Sequence, residues 1–259
     1  SGLTEMEIYD RFDDAAPYYA AALWGKSGEV SFTTAQQTSE NVGEAPGVNA
    51  YDKVDSETDE ILSYDFEDGL SDKSANEYDA ENGKNAEVKD GELVLKGGES
   101  YISTPLDKVG PEKELSFDIT LTQPAEPGQI LFEAEKDEDH EAYSTHNIRI
   151  MEDGTLGFTR EGYDYSFGYK LPVNQKMTLK IRTKNGSTVL IADGKEYKAT
   201  GSFTYEGDVK KTGITSSTLS LPLTRIGSDT NAVHAIIDNV NLSSTMSDGE
   251  SSPIDPDLQ

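Results

Sequence analysis

The stretch "GFTREGYDYSFGYKLP", Gly157 to Pro172, places Tyr163, Tyr165, Phe167 and Tyr169 at every second position. Side chains of a β-strand alternate between its two faces, so this spacing predicts a strand with all four rings on one side. The other side carries Asp164, Ser166, Gly168 and Lys170. A strand with one apolar and one polar face belongs to a half-buried antiparallel sheet. Glu161-Gly162 precedes it, and Gly tolerates the positive φ of a tight turn, so the stretch reads as a hairpin. The rings have two readings, a sandwich core or a platform on which a ligand stacks. The polar opposite face favours the core.

The same pattern recurs outward in both directions. Phe117, Ile119 and Leu121 alternate, as do Ile130, Phe132 and Ala134; Leu179 and Ile181 follow, then Val189 to Ile191, Leu219 to Leu223 and Ile236 to Leu242. Turn chemistry separates these runs: "EDG" at 152–154, "KNG" at 184–186 and "ADG" at 192–194. Short strands at this spacing, with no helical runs between them, predict an antiparallel jelly-roll β-sandwich over residues 61–243.

Residues 1–25 follow a different period. Thr4 and Glu7 have the spacing of a capping box, and Ile8, Phe12, Ala15, Tyr19 and Leu23 recur at helical intervals. Pro17 kinks or restarts this short N-terminal α-helical segment, and Gly25 ends it. Its single apolar stripe must dock on a neighbouring domain or on the rest of this chain, with Trp24 as an anchor against a neighbouring domain. Residues 26–60 and 244–259 are polar and poor in large apolar side chains, and read as linkers or wrapping segments around an excised module.

Of the 259 residues, 49 are Asp or Glu and 22 are Lys or Arg, giving a net charge of -27. Such a surface argues against nucleic acid and anionic lipid as partners, and favours solubility or cation binding. No apolar run reaches the ~20 residues that a membrane-spanning helix requires. There is no cysteine, which excludes zinc–thiolate sites, disulfides and thiol nucleophiles. The three histidines, His140, His146 and His234, match no metal-binding spacing.

The segments "ILSYDFEDGL" (61–70), "GELVLKGGESYIS" (91–103), "MTLKIRTKNGSTVLIADGKEY" (177–197) and "LTRIGSDTNAVHAIIDNVNLSS" (223–244) occur in an order that resembles the laminin-G-like, concanavalin-A-like jelly-roll domains. The resemblance covers about 180 residues and implies the all-β sandwich. It further implies a structural Ca²⁺ where the first and last strands lie side by side. Glu67 and Asp238 match the ligand motifs, and Asp68 or Asp90 would complete an oxygen shell. Residues 5–25, "EMEIYDRFDDAAPYYAAALWG", are similar to the last helix of a family-20 glycoside hydrolase barrel, the β-N-acetylhexosaminidase and lacto-N-biosidase group. That similarity implies a bacterial parent enzyme, extracellular or attached to the cell wall, whose acid pair lies in the barrel and has no counterpart here.

Two other residue sets carry chemistry. Arg160, Tyr163, Tyr165 and Tyr169 are the types that hold a sugar, with Asp164 beside them. Glu135, Asp137 and Glu141 resemble the spaced acids of glucanases, but Lys136 and Glu138 occupy the interleaved positions, and the run reads as a solvated loop. The expected function is therefore a non-catalytic accessory module of a secreted glycoside hydrolase. It would give structural support, glycan targeting or both, with the preceding catalytic domain and glycans as partners. The alternatives are an autonomous carbohydrate-binding module, an adhesion domain and a glucanase-type hydrolase.

Overall fold

Leu115, Phe117, Ile119 and Leu121 alternate with Glu114, Ser116, Asp118 and Thr120, and the strand they form buries each apolar member and leaves the others at least partly open. That rule builds the whole domain. In the computed structural model the described residues are 60–136, 145–184, 186–201 and 218–244, with the backbone of 204–206 and 209–211. The predicted helix of residues 1–25 and nearly all of both predicted linkers lie outside them. The described residues contain no helix.

The strands are β1 (Glu60–Tyr64), β2 (Glu81–Lys84), β3 (Ala86–Lys89), β4 (Glu92–Ser103), β5 (Lys108–Val109), β6 (Lys113–Leu121), β7 (Ile130–Glu133), β8 (His146–Ile150) and β9 (Leu156–Arg160). They continue as β10 (Tyr163–Tyr169), β11 (Met177–Lys184), β12 (Ser187–Ala192), β13 (Lys195–Lys198), β14 (Thr200–Gly201), β15 (Thr204–Glu206), β16 (Val209–Lys211), β17 (Leu221–Pro222) and β18 (Arg225–Ser244). The main path runs β13-β12-β11-β6-β18-β7-β8-β9-β10-β14, and every ladder along it is antiparallel.

The 20-residue β18 joins the two layers. Its first part, from Arg225 to Ala232, pairs with β7 and with the end of β4. Its second part, from Ala235 to Ser244, pairs with β6, and residues 240–243 pair with β1. The register slips between Ser228 and Ala232, where an irregular step lets the strand pass from one layer to the other. Thus β14, β10, β9, β8, β7 and the first part of β18 form a front sheet, and β13, β12, β11, β6 and the second part of β18 a back sheet. The first and last strands of the domain are neighbours, as the jelly-roll reading requires.

The two sheets close over aromatic and aliphatic side chains. Phe117 of the back sheet meets Phe132 of the front sheet edge-on, with ring centroids 4.9 Å apart. At the far edge Tyr169 and Tyr197 sit 5.1 Å apart, so β10 and β13 close that side. In the front sheet the inner row reads Ile102, Ile226, Phe132, Ile148, Phe158 and Tyr165, each directly opposite the next across a ladder. The hairpin that decided the fold is present: Tyr163 pairs with Arg160 across Glu161 (φ 51) and Gly162 (φ 80), a two-residue turn with both residues left-handed.

One expected alternation fails. Ile130, Phe132 and Ala134 do not share a face. The β7–β8 register shifts between Ile130 and Phe132, which places Ile130 opposite Arg149 and Phe132 opposite Ile148. Ile130 therefore lies on the outer face of the front sheet and Phe132 in the core.

Candidate functional site

Three of the four rings of the aromatic strand belong to the core or pack against it. Phe167 is buried, Tyr165 stacks on Phe158 at 5.0 Å, and Tyr165 and Tyr169 pack against the apolar cluster. Arg160 is opposite His146, on the inner side of the sheet, and its guanidinium donates to the Thr218 carbonyl. Tyr163 is exposed at the rim. The candidate sugar residues Arg160, Tyr163, Tyr165 and Tyr169 thus do not assemble into one platform.

The opposite face of the same sheet is different. Ser103, Arg225, Glu133, Asn147, Thr159 and Asp164 stand directly opposite one another across six successive strands, β4, β18, β7, β8, β9 and β10. Residues that are directly paired in an antiparallel ladder point to the same side, so this is one continuous polar row. It lies one register step from the apolar row that fills the core.

The row is held from within. Glu133 is 1% exposed. Its Oε2 accepts from the Ser228 hydroxyl at 2.8 Å and its Oε1 from the Asp229 amide at 2.7 Å. Arg225 lies over the Tyr101 ring, 5.4 Å from its centroid, and pairs with Glu135 at 2.6 Å, Glu133 at 3.5 Å and Asp229 at 3.6 Å. Burial pushes the Glu133 carboxyl above the usual glutamate range, against the hydrogen bonds from Asp229 and Ser228. Further along, Asp164 accepts from the Thr159 hydroxyl at 2.5 Å and faces Arg149 at 3.4 Å.

Two polar atoms in this region have no hydrogen-bond partner. They are Asn147 Oδ1, in a residue only 3% exposed, and Arg149 Nε. An acceptor and a donor two residues apart on one strand, both desolvated and unused, carry a desolvation penalty. Nothing in the sequence marked Asn147 or Arg149. Their meaning comes from the register of β7, β8 and β9.

Of the residues expected to hold calcium, Glu67 and Asp90 adjoin, while Asp68 and Asp238 are each engaged by a lysine. Asp68 is held by Lys73 at 2.5 Å. Glu67 lies against Gly91, where a Cβ would meet its Oε1 at 2.6 Å, so it adjoins the Asp90–Gly91 turn. Asp238 is directly opposite Asp118 across β18 and β6, and the Lys176 ammonium sits between them. Its Nζ is 3.1 Å from Asp238, 3.4 Å from Asp118 and 3.6 Å from Glu92. Among the described residues no group of three or more His, Asp or Glu side chains is spaced to hold a metal ion. As placed, these carboxylates do not fit a calcium shell.

Lys176 neutralises a like-charge pair that would otherwise repel across the ladder. Burial opposes ionisation of Asp118, but hydrogen bonds from Thr178, Asn239 and Lys176 prevail and hold its pKa below the usual carboxylate range. We expect Lys176→Met to lower stability by about 0.5–1 kcal/mol, a value already discounted for solvent screening of this half-exposed lysine. Thermal melting checks this. In the unchanged protein, Ca²⁺ and EDTA should leave the melting curve where it is; a shift of several degrees would reinstate the metal.

Among the acids of the glucanase reading, Glu135 pairs with Arg225, while Asp137 and Glu141 lie outside the described residues. No helix among the described residues is long and apolar enough to cross a membrane.

No family model and no curated protein matches the sequence. Solved structures do match. Domain 4 of AbnA, a GH43 extracellular arabinanase from Geobacillus stearothermophilus solved in complex with arabinotriose, superposes with a TM-score of 0.50 at 18% identity. The match covers 71% of this chain and 92% of that one. The chain shares that fold. The receptor-binding domain of botulinum neurotoxin D (TM-score 0.47, 16% identity, 72% of this chain and 49% of that one) and Trypanosoma rangeli sialidase (TM-score 0.47, 14% identity, 75% and 32%) are also found. The match thus spans about half of the toxin domain and a third of the sialidase.

Proposed function

We propose that this β-sandwich is a non-catalytic accessory module that binds glycan on the outer face of its front sheet. The observation that carries the reading is the polar row from Ser103 to Asp164, with Asn147 Oδ1 buried and unpartnered within it. Sugar hydroxyls are both donors and acceptors. They suit a strip where a free carbonyl oxygen, a free guanidinium N–H and partly exposed carboxylates lie together. The arabinotriose complex of the arabinanase domain supports testing arabinan fragments first.

The similarity of residues 5–25 to a family-20 barrel helix supports a parent chain of that glycoside hydrolase class, extracellular or wall-attached, with its catalytic domain ahead of this one. A structural supporting role fits the same arrangement.

Calorimetric titration with arabino-, gluco- and xylo-oligosaccharides tests the binding reading. At least one series should bind. Asn147→Ala and Arg149→Met should each weaken it by about tenfold, equivalent to one well-made hydrogen bond. Lys176→Met, on the other sheet, should bind normally. Binding that survives both front-sheet substitutions would move the site elsewhere.

A further inference from the structure

The charges on the outer face of the front sheet select the chemical class of glycan. This rests on the binding reading above and adds a discrimination to it. Two guanidiniums serve the region, Arg149 and Arg225. Four carboxylates surround them: Glu133, Glu135 and Asp229 at Arg225, and Asp164 at Arg149. Arg225 is consumed, with three carboxylates and a tyrosine ring around a side chain that is 13% exposed. It offers no free fork to an anion. The carboxylates that reach solvent are Asp164, Glu135 and Asp229, whose side chains are 41%, 60% and 41% exposed.

A uronic-acid or sulfated chain lying along the row would bring its anions against these three, on a protein whose net charge is already -27. An uncharged chain meets no such repulsion, and its hydroxyls can donate to the same exposed carboxylates.

We infer that the module takes uncharged, hydroxyl-rich polysaccharides and excludes polyuronates and sulfated glycans. Affinity electrophoresis of the full chain tests this, in gels containing arabinan, laminarin, polygalacturonate or heparin. At least one neutral polymer should retard the protein, with an apparent affinity about tenfold or more above either polyanion. Raising the salt concentration should leave the neutral interaction unchanged.

The triple change Asp164→Asn, Glu135→Gln, Asp229→Asn should narrow the gap by raising polyanion binding. Asp164→Asn alone, which keeps an acceptor for Thr159, should move it in the same direction if the triple variant does not fold. Stronger retardation by polygalacturonate or heparin than by both neutral polymers would overturn the selection and leave glycan binding standing. No retardation by any of the four would overturn both.

Discussion

Alanine at Gly227 is expected to destabilise the domain by roughly 2–5 kcal/mol, combining a left-handed backbone cost of ~1–2 kcal/mol with an overpacking cost of ~1–3 kcal/mol. Gly227 has φ 99, and an added Cβ would lie 2.1 Å from the Ser100 carbonyl oxygen. That neighbour is backbone, fixed in the β4–β18 ladder, so it cannot swing aside. The residue directly precedes Ser228, whose hydroxyl serves Glu133, so strain here also disturbs the polar row. Gly98 is the control. It too is left-handed, with φ 59, but a Cβ there meets nothing within 4 Å. Gly98→Ala should lose only the backbone part. Urea unfolding of both variants measures the difference. Equal losses at the two positions would remove the close-approach argument.

Glu133 is expected to give the largest pH effect. Burial raises its folded-state pKa above the unfolded value, so folding takes up a proton in the window between the two. The stability gained from that uptake is complete below the ordinary glutamate range and is lost as pH rises through the raised folded value. The melting temperature of the unchanged protein, measured relative to Glu133→Gln, should therefore fall as pH rises across that window. Gln keeps the volume and one acceptor oxygen but cannot titrate, so the many other carboxylates cancel in the comparison. Glu133→Ala removes the acceptor of the Asp229 amide and the 2.8 Å acceptor of the Ser228 hydroxyl, at a total of roughly 1–3 kcal/mol. It should be destabilised at every pH. A difference between the unchanged protein and Glu133→Gln that does not vary with pH would show that Glu133 ionises as an ordinary glutamate.

Much of the architecture was legible from period two alone. The alternation in Lys113–Leu121, Met177–Lys184 and Tyr163–Tyr169 predicted strands there, and the Gly-containing turns predicted their hairpins. Local turn chemistry is sufficient for this because a two-residue connection such as Asp193-Gly194 fixes both the pairing and the register of Ala192 with Lys195. Less legible was β18. The sequence signalled Ile236 to Leu242, yet the strand begins at Arg225. Its earlier half lacks simple alternation, because the irregular step at Ser228–Ala232 breaks the period as the chain changes layers. The same cause hid the outward turn of Ile130.

The proposed site lies on the other face of the strand that carries the sequence candidates. Tyrosine and arginine attract attention as sugar-binding types, but Tyr165 follows the apolar row into the core, and Arg160 turns inward to the Thr218 carbonyl. Asp164, its neighbour in sequence, belongs to the polar row. The calcium expectation met a related limit. Motif matching located Asp238 on a strand beside the first one, but not the lysine, 62 residues away, that the fold brings to its carboxylate.

The sequence by itself determined that this chain is a β-sandwich, because alternation and turns act between near neighbours and need no knowledge of what packs opposite. Only the tertiary structure decided where the polar row lies. Ser103, Arg225, Glu133, Asn147, Thr159 and Asp164 come from six strands spread over more than a hundred residues; a local turn sets the Thr159–Asp164 pair, and register between more distant strands brings the others into the same row. A slip of one residue in a ladder between strands distant in sequence, such as β18–β7, would turn that member into the core and the apolar row outward, and burial of the apolar face is what specifies against it.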